Sequence, residues 1–411
     1  MNHQEAENYL LDLELFGMRF GLDRMHRLMT ALGMPQRRFA SIHVVGTNGK
    51  SSTTRMIAAI LQHHGLSTGS YTSPHLEAFP ERIEVGGRRI SDTEFAAAVA
   101  RARSAAELVD RTAEPDDRVT QFEALTAAAF HELARRKVEV AVIEAGLGGR
   151  YDATNVIPSR VQVLTGVALD HTRWLGPTIT DIAEEKLAVV RDHAVLVTPE
   201  LDPDAEKVAE RVAAQKHARR VHAPADPGVA VRAAGAVQRR NFAVAMSAAE
   251  AFMGSLDQDA VRAAAAEVEI PGRLEIVSEH PMVIHDGAHN PQAAVALAEA
   301  LPGLVEGRRL VGVIAVLDDK DSTGILAPLL PVLEQVVFTR VQSPRALPPA
   351  TLQSLAAKLS AVPSEVVLDP RDALARAVNL AGPDGAVIAT GSLHLVADLV
   401  RRRSSGRASM L

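Results

Sequence analysis

The stretch SIHVVGTNGKSSTTRMIAAILQHHG, residues 41–65, decides how this sequence folds. It starts with the apolar run 41–45 and continues through a turn that contains two glycines. The next residues predict a helix over 52–64, because apolar side chains recur on one helical face at Met56, Ile57, Ile60 and Leu61. Gly65 is a typical residue to end that helix. A strand, a glycine-rich turn and a helix in this order predict an α/β fold.

Further apolar runs extend this pattern along the chain. They are rich in Val and Ile, alternate with helical patterns, and lie at 138–143, 161–167 and 194–197. Such runs are typical of strands that are buried on both faces, so we expect a parallel sheet covered by helices on both sides.

Two local signals add detail to this first unit. Residues 83–90, IEVGGRRI, alternate around Gly86 and Gly87, which predicts a hairpin with a two-residue turn. Thr120 followed by Glu123 fits a capping box at the start of an Ala-rich helix. The hairpin predicts an excursion from the sheet.

The strand pattern restarts near the end of the chain. From Met282 onward, the runs MVIHD, LVGVIAV, QVVFTR, EVVL and AVIAT alternate with Ala-rich helical segments. A chain of 411 residues is long enough for two domains with a cleft between them. We expect one domain over 1–271 and a smaller α/β domain over 272–411.

Composition excludes several classes of protein. The net charge of −6 argues against a general nucleic-acid binder, and the absence of Cys excludes disulfides, thiolate metal sites and a Cys nucleophile. No apolar run approaches the roughly 18 residues of a membrane span, and the N-terminus lacks the pattern of a signal peptide. We expect a cytoplasmic protein that binds neither nucleic acid nor membrane.

Residues 46–51, GTNGKS, predict a phosphate-binding loop between the first strand and its helix. Backbone N–H groups at a helix N-terminus hold phosphate oxygens, and Lys50 supplies a positive charge. The usual G-x-x-x-x-G-K-[ST] pattern fails because Val44 stands where its first Gly belongs. An ordinary glycine-rich turn is the alternative. The sequence leaves open whether the Ser51 hydroxyl ligates a metal or the Ser52 hydroxyl contacts a phosphate.

Three other segments deliver candidate ligands to the same edge of the sheet. Glu144 and the pair Asp170 and His171 follow predicted strands, while Ser73 follows the first helix and its turn. Carboxyl ends of parallel strands are where open α/β sheets bind ligands, and carboxylate oxygens suit Mg²⁺. Taken singly, each residue also fits a turn, a helix cap or a loop. Lys186 lies in an acidic helical stretch, so its pattern favours an exposed lysine paired with a carboxylate.

Five blocks, in order, resemble the folylpolyglutamate and dihydrofolate synthase family within the Mur-ligase superfamily. They are IHVVGTNGKSS, YTSPHLEAFPERIEV, EAGLGGRYDATN, ALDHTRWLG with IAEEK, and HDGAHNP. The resemblance implies an N-terminal Mur-ligase-type P-loop domain with a parallel-rich sheet and a smaller Rossmann-like C-terminal α/β domain. It covers essentially the whole chain.

The resemblance also implies a role for each matching residue. ATP would be held by Gly46, Thr47, Asn48, Gly49, Lys50, Ser51 and Ser52, with nucleotide contacts from Asn241, Arg273 and Asp286. Mg²⁺ would be ligated by Ser73, Glu144 and His171. Lys186 would be carbamylated by CO2. This implied role replaces the interpretation from pattern alone, in which Lys186 is an exposed lysine paired with a carboxylate. His289 would support catalysis together with Lys50 and Lys186, and Arg345 would contact phosphate or glutamate.

Two departures from the family pattern stand inside these blocks. The loop reads GKSS where the family has GKGS, and IAEEKLAVV replaces an EKAGI run. The first leaves open which hydroxyl faces the metal or the phosphate. The second changes packing after Lys186 but keeps its charge.

The implied reaction joins L-glutamate to dihydropteroate, to reduced folates, or to both, through an acyl phosphate made from ATP. Pterin contacts are expected from TSPHLEAF, residues 72–79, and FGLDRM, residues 20–25. A peptidoglycan-precursor ligase is one rival, but residues 1–45 are too few for its UDP-sugar domain. The other rival is a nucleotide-binding switch protein. A monomer is the default expectation.

Overall fold

The computed structural model describes residues 1–13, 21–114 and 117–401. The first of its two sheets has eight strands in the spatial order β4-β3-β2-β5-β1-β6-β7-β8. These strands are β1 (Ala40–Val45), β2 (Thr68–Tyr71), β3 (Ile83–Val85), β4 (Arg88–Arg89), β5 (Val140–Glu144), β6 (Val161–Leu164), β7 (Val195–Thr198) and β8 (Arg219–His222). Six of them run parallel, whereas β3 and β4 pair antiparallel at one edge.

Within the described ranges, ten helices accompany this sheet. They are α1 (His3–Asp12), α2 (Asp23–Ala31), α3 (Lys50–His63), α4 (Asp92–Asp110), α5 (Gln121–Arg135), α6 (Thr172–Leu175), α7 (Ile179–Leu187), α8 (Pro203–Gln215), α9 (Ala236–Met253) and α10 (Gln258–Glu267). Short 3₁₀ helices lie at Pro35–Arg37, Phe79–Arg82 and Ala153–Val156. The predicted capping box is present at α5, where the Thr120 side chain accepts from the Glu123 backbone and the Glu123 side chain accepts from Thr120.

The second sheet has six strands in the order β13-β12-β11-β14-β10-β9. They are β9 (Glu275–Glu279), β10 (Met282–His285), β11 (Leu310–Ile314), β12 (Gln335–Phe338), β13 (Ser364–Val366) and β14 (Ala386–Thr390). Its helices are α11 (Pro291–Val305), α12 (Ser322–Leu329), α13 (Pro349–Leu359), α14 (Pro370–Ala381) and α15 (Leu393–Val400), with a 3₁₀ helix at Leu330–Val332.

The core of the first unit lies on both faces of its sheet. Ile42 and Val44 pack with α3 and α9 on one face, and Val45 packs with α7 and α8 on the other. All three side chains are completely buried. Each buried aliphatic side chain of this size contributes roughly 1.5–3 kcal/mol relative to an exposed one. Burial on two faces explains why β1 is a continuous apolar run.

The architecture confirms the predicted α/β fold, with a parallel-rich N-terminal sheet and a second, smaller C-terminal sheet. The predicted hairpin is also present, since Gly86 and Gly87 both have positive φ, at 59° and 67°. Strand β9 pairs antiparallel with β10 and was not anticipated. Among the described residues, no helix is both long and apolar enough to cross a membrane.

Strand register brings the functional segments to one edge. Val44 is paired with Glu144 on β5 and with Val163 on β6. The carboxyl ends of these three neighbouring strands therefore lie level with one another. The segments that follow them form the floor of the candidate site.

Candidate active site

The phosphate loop, residues 46–52, follows β1 and is held by the segment after β6. Thr165 Oγ1 donates to the Asn48 carbonyl at 2.6 Å, and the Thr47 N–H donates to the Gly166 carbonyl at 2.9 Å. Gly46 has φ of +151°, and a Cβ there would lie 1.9 Å from Thr165 Oγ1. Only glycine fits this position, which is why the chain can turn so closely over β6.

Lys50 is the first residue of α3 and folds back over the loop. Its Nζ donates to the carbonyls of Gly46 at 3.1 Å and Thr47 at 3.3 Å. Gly49 precedes it with φ of +83°, and a Cβ at Gly49 would lie 2.6 Å from Asn241 Oδ1. Asn241, on α9, thus lies directly against the loop. The free N–H groups of the first turn of α3, together with the ammonium, form a cradle suited to phosphate.

Glu144, the last residue of β5, faces the start of α3. Ser51 Oγ donates to its Oε1 at 2.9 Å, and the Ser73 N–H donates to its Oε2 at 3.0 Å. Burial raises the pKa of the carboxyl, and nearby Lys50 opposes that shift. Ser51, not Ser52, is the hydroxyl that contacts this carboxylate. Ser52 is buried elsewhere on the helix, with 3% of its surface exposed.

Lys186 is buried under the phosphate loop, with 3% of its surface exposed, and its Nζ donates to the Gly46 carbonyl at 2.9 Å. The expectation from pattern alone, an exposed lysine paired with a carboxylate, is therefore wrong. Burial, reinforced by repulsion from Lys50, lowers the pKa of Lys186 to about 7. The sequence carried a signal for this, because Lys186 lies on the same helical face as the buried residues Ile182 and Leu187.

His171 precedes the short helix α6 and has a positive φ of 51°. Its side chain is 39% exposed. Partial burial and the cations Lys320, Lys50 and Lys186 lower the pKa of the imidazole to about 4, against the opposing charge of Asp170. The ring is therefore neutral near pH 7 and has a lone pair for a metal. Within the described ranges, no three His, Cys, Asp or Glu side chains gather as a metal-binding group. Mg²⁺ commonly takes only one or two protein carboxylates and completes its shell with water and phosphate oxygens.

Asp286 follows β10, and its carboxylate binds the backbone just before β9 and just after β10. Its Oδ2 accepts from the Leu274 N–H at 2.9 Å and its Oδ1 from the Ala288 N–H at 2.8 Å. Burial raises the pKa of Asp286, and the positive charge of Arg273 opposes that shift. A Cβ on Gly287 would lie 3.2 Å from Arg273 Nη1. The structure thus brings Arg273 and Asp286 together, and Arg273 also bears electrostatically on Glu144.

A network of polar side chains joins the two sheets across the site. Asn290 Nδ2 donates to Asn48 Oδ1 at 2.9 Å and to Asp170 Oδ2 at 3.3 Å. Lys320 Nζ donates to Asp170 Oδ1 at 2.6 Å, and both side chains are 8% exposed. Burial disfavours the Asp170 carboxylate, but His171 and Lys320 outweigh it and lower the pKa of Asp170. The phosphate loop therefore contacts the start of α11, in the unit built on the second sheet.

His289 borders this network. Its Nδ1 donates to the Gly287 carbonyl at 2.9 Å, and its Nε2 lies 3.7 Å from Asp170 Oδ2. Burial lowers the pKa of His289 to about 4, helped by Lys320. Since His289 and His171 are both neutral near pH 7, the ammonium of Lys320 is the positively charged partner of Asp170. Sequence reasoning did not single out Lys320, although it follows β11 at the carboxyl edge.

The remaining predicted contact residues are engaged within the protein. Arg345 Nη1 donates to Asp319 Oδ2 at 3.4 Å, beside Lys320. In the segment FGLDRM, Arg24 is buried and forms ion pairs with Glu123 and Asp117. Phe20 of that segment lies outside the described residues. In TSPHLEAF, His75 Nδ1 accepts from Arg82 Nε at 3.0 Å.

Comparison with known proteins gives consistent matches over most of the chain. The family model "Mur ligase middle domain" matches residues 44–247, and "Mur ligase, glutamate ligase domain" matches residues 272–393. The chain is 38% identical to the dihydrofolate synthase/folylpolyglutamate synthase of Mycobacterium tuberculosis, covering 79% of this chain and 75% of that protein. It is 33% identical to the protein of the same name from Bacillus subtilis, covering 97% of this chain and 99% of that one.

Solved structures show the same fold. Mycobacterium tuberculosis folylpolyglutamate synthase complexed with ADP is similar with a TM-score of 0.90 at 34% identity, covering 96% of each chain. E. coli FolC in complex with DHPP and ADP is similar with a TM-score of 0.86 at 30% identity, covering 97% of this chain and 96% of that one.

Proposed function

This chain belongs to the dihydrofolate synthase/folylpolyglutamate synthase family, and we propose that it joins L-glutamate to dihydropteroate, to folyl(poly)glutamate, or to both. It is an ATP-dependent ligase that forms an acid–amino-acid bond. The observation that carries the proposal is the convergence of the phosphate loop, Glu144 and Asp170 with Asn290 and Lys320 of the second sheet. Phosphate-binding groups and a separate set of charged side chains thus meet at one cleft.

The chemistry needs these two sets of groups together. A carboxylate resists attack by an amine, so the γ-phosphoryl group of ATP is first transferred to a carboxylate oxygen of the acceptor. The α-amine of L-glutamate then attacks the acyl carbon, the amide bond forms, and phosphate leaves with the oxygen that it received. Lys50 is placed to stabilise negative charge on the transferring phosphoryl group.

Residues at the carboxyl ends of β2, β5 and β6 fit a magnesium ion, and we propose Ser73, Glu144 and His171 as its ligands. Glu144 is a buried carboxylate whose pKa is raised by burial, and a cation at this point would relieve that cost. His171 contributes a neutral nitrogen. When bound, Mg²⁺ neutralises charge on the phosphate oxygens of ATP. The protein's own part is to hold the carboxylate in place through Ser51 and the Ser73 N–H.

We propose that Lys186 is carbamylated. Its pKa of about 7 leaves much of the amine neutral at physiological pH. A neutral amine attacks CO2, loses a proton, and becomes a carbamate anion. That change replaces a cation that repels Lys50 and Mg²⁺ with an anion that attracts both. The carbamate on Lys186 would then help to hold the metal, and we assign His289, which follows β10, a supporting role in catalysis.

Nucleotide contacts are assigned to both domains. Asn241 lies against Gly49, and Arg273 and Asp286 lie together where the second sheet begins. We assign residues 1–271 to the ATP-binding and pterin-binding domain and 272–411 to the glutamate-ligase domain. The bound ATP would lie where they meet, so domain closure would complete the site. We propose a cytoplasmic monomer.

The test is ADP release by the purified protein with Mg-ATP and L-glutamate. Dihydropteroate is added in one reaction and tetrahydrofolate in another, and products are identified by mass. We expect at least one acceptor to stimulate ADP release and to gain one glutamate. Lys50→Ala should abolish this, whereas Lys358→Ala, on the exposed face of α13, should not. Absence of stimulation by either acceptor would overturn the ligase proposal and favour a nucleotide-binding switch.

A further inference from the structure

A basic cleft lies at the edge of the first sheet opposite the phosphate loop. It has a volume of about 850 Å³ and is formed where β1, β5 and β6 begin. Its cationic side chains come from three separate segments and are Arg37, Arg38, Lys137 and Arg160. Strand β1 has six residues, and at about 3.3 Å per residue it separates this cleft from the loop by roughly 20 Å.

The charge of the cleft is not compensated by the protein. Glu139 is the single carboxylate among its lining residues, and its Oε2 accepts from the Ser67 N–H at 2.7 Å. Within the described part of the chain, none of the four cations has an ion pair. Arg38 only donates to the Gly33 carbonyl at 3.2 Å. Four positive charges thus face one carboxylate in a protein whose net charge is −6.

Neighbouring exposed arginines behave differently. Arg135 pairs with Glu132 at 2.6 Å, and Arg136 pairs with Glu94 at 2.6 Å. Both lie within two residues of Lys137 along the chain. What distinguishes the cleft is that it gathers four cations without such partners at one place, where their mutual repulsion is lowered when an anion binds.

The floor of the cleft is apolar. Phe39 and Val138 are 6% and 2% exposed, and Pro158 and Ala134 complete the wall. Polar groups supplied around an apolar base are typical of small-molecule sites. Guanidinium groups bind phosphate and carboxylate oxygens in pairs, so several of them favour a ligand with more than one anionic group.

We propose that this cleft binds a small multivalent anion, an oligophosphate or an oligocarboxylate. The site is distinct from the phosphate loop because it lies at the amino ends of the strands. Binding of the anion in this cleft requires neither ATP nor Mg²⁺. Its existence does not depend on which acid the ligase uses, so its test is independent of the ligase assay.

Calorimetric titration tests this with inorganic triphosphate and with tri-γ-glutamate as probes. The protein is first saturated with ADP, without free Mg²⁺, so that the phosphate loop is occupied. Arg37→Gln/Arg160→Gln removes two charges of the cleft. Arg88→Gln/Lys358→Gln removes two exposed charges elsewhere and is the matched control. Circular dichroism verifies that all three proteins are folded.

We expect one additional site in the unmodified protein and the control, weakened at least tenfold in the cleft variant. Higher salt should weaken it as well, because salt screens exposed charges. Tighter binding of triphosphate identifies an oligophosphate ligand, and tighter binding of tri-γ-glutamate an oligocarboxylate. Absence of an additional site for both probes would overturn the proposal. So would equal affinity in the cleft variant and the control.

Discussion

Carbamylation of Lys186 should follow pH in a way that an ordinary lysine cannot. CO2 reacts with the neutral amine alone, and an exposed lysine, whose pKa is about 10.4, is less than about 1% neutral at pH 8. With a pKa of about 7, the amine is roughly one-tenth neutral at pH 6 and roughly nine-tenths neutral at pH 8. The reactive fraction of Lys186 therefore rises about tenfold over this range.

The direction follows from burial. Because the native state disfavours the ammonium, Lys186 is half deprotonated at about pH 7 in the native state and only near pH 10.5 in the unfolded chain. Between pH 7 and 10.5 the unfolded state holds the extra proton, so native-state stability rises with pH as the cost of burying the ammonium is relieved. Carbamate formation draws on the same neutral amine and should rise through pH 7.

The assay is ¹³C NMR of the protein at a fixed pressure of ¹³CO2. Lys186→Arg is the control, because arginine stays charged and leaves the N-terminal amine as a background reactant. We expect a bound carbonyl signal that grows from pH 6 to pH 8 and is lost in Lys186→Arg. A signal of equal intensity in the variant, or none in the unmodified protein at pH 8, would refute the reasoning.

Three further changes probe the site and the fold. Glu144→Gln removes the carboxylate charge, so Mg²⁺-dependent binding of a nonhydrolysable ATP analogue should weaken about tenfold by calorimetry, while binding of ADP without Mg²⁺ should persist. Lys320→Met leaves the Asp170 carboxylate buried without its ammonium, and the free energy of urea unfolding should fall by about 3 kcal/mol. Adding Asp170→Asn should cost less than the two single changes together, and strict additivity would contradict a direct pair. Thr120→Ala removes the cap of α5 and should cost about 1 kcal/mol in the same measurement, so an unchanged midpoint would show that this cap is dispensable.

The parts of the site that could be predicted from sequence are those set by local order. A strand followed by Gly46, Gly49 and Lys50 specifies a phosphate loop, because the backbone requirement and the charge lie within a few residues. Glu144 could be placed because it ends an apolar run, and strand ends of a parallel sheet share one edge. These inferences need only the sequence of each βα unit and the rule that the strands are parallel.

The environment of Lys186 could not be predicted in this way. Its nearest polar contact, the Gly46 carbonyl, is 140 residues away in sequence, and an acidic helix predicts solvent on its polar face. The apolar residues around Ile182 predict that this face of the helix is buried, whereas the neighbouring acidic residues predict that it is exposed. In the folded protein the phosphate loop, which is distant in sequence, covers this face and buries Lys186.

The polar contacts that link the two sheets could not be predicted for the same reason, since their partners are distant in sequence. Asp170 and Lys320 are separated by 150 residues, and Asn48 and Asn290 by 242. No local periodicity relates such pairs, since each follows a strand of a different sheet. Their contact depends on how two independently built units face each other. The phosphate loop itself supplies Asn48 to this contact, so a ligand that moves the loop would also act on the contact between the two units. We therefore expect nucleotide binding at the loop and the packing of the second unit against the first to depend on each other.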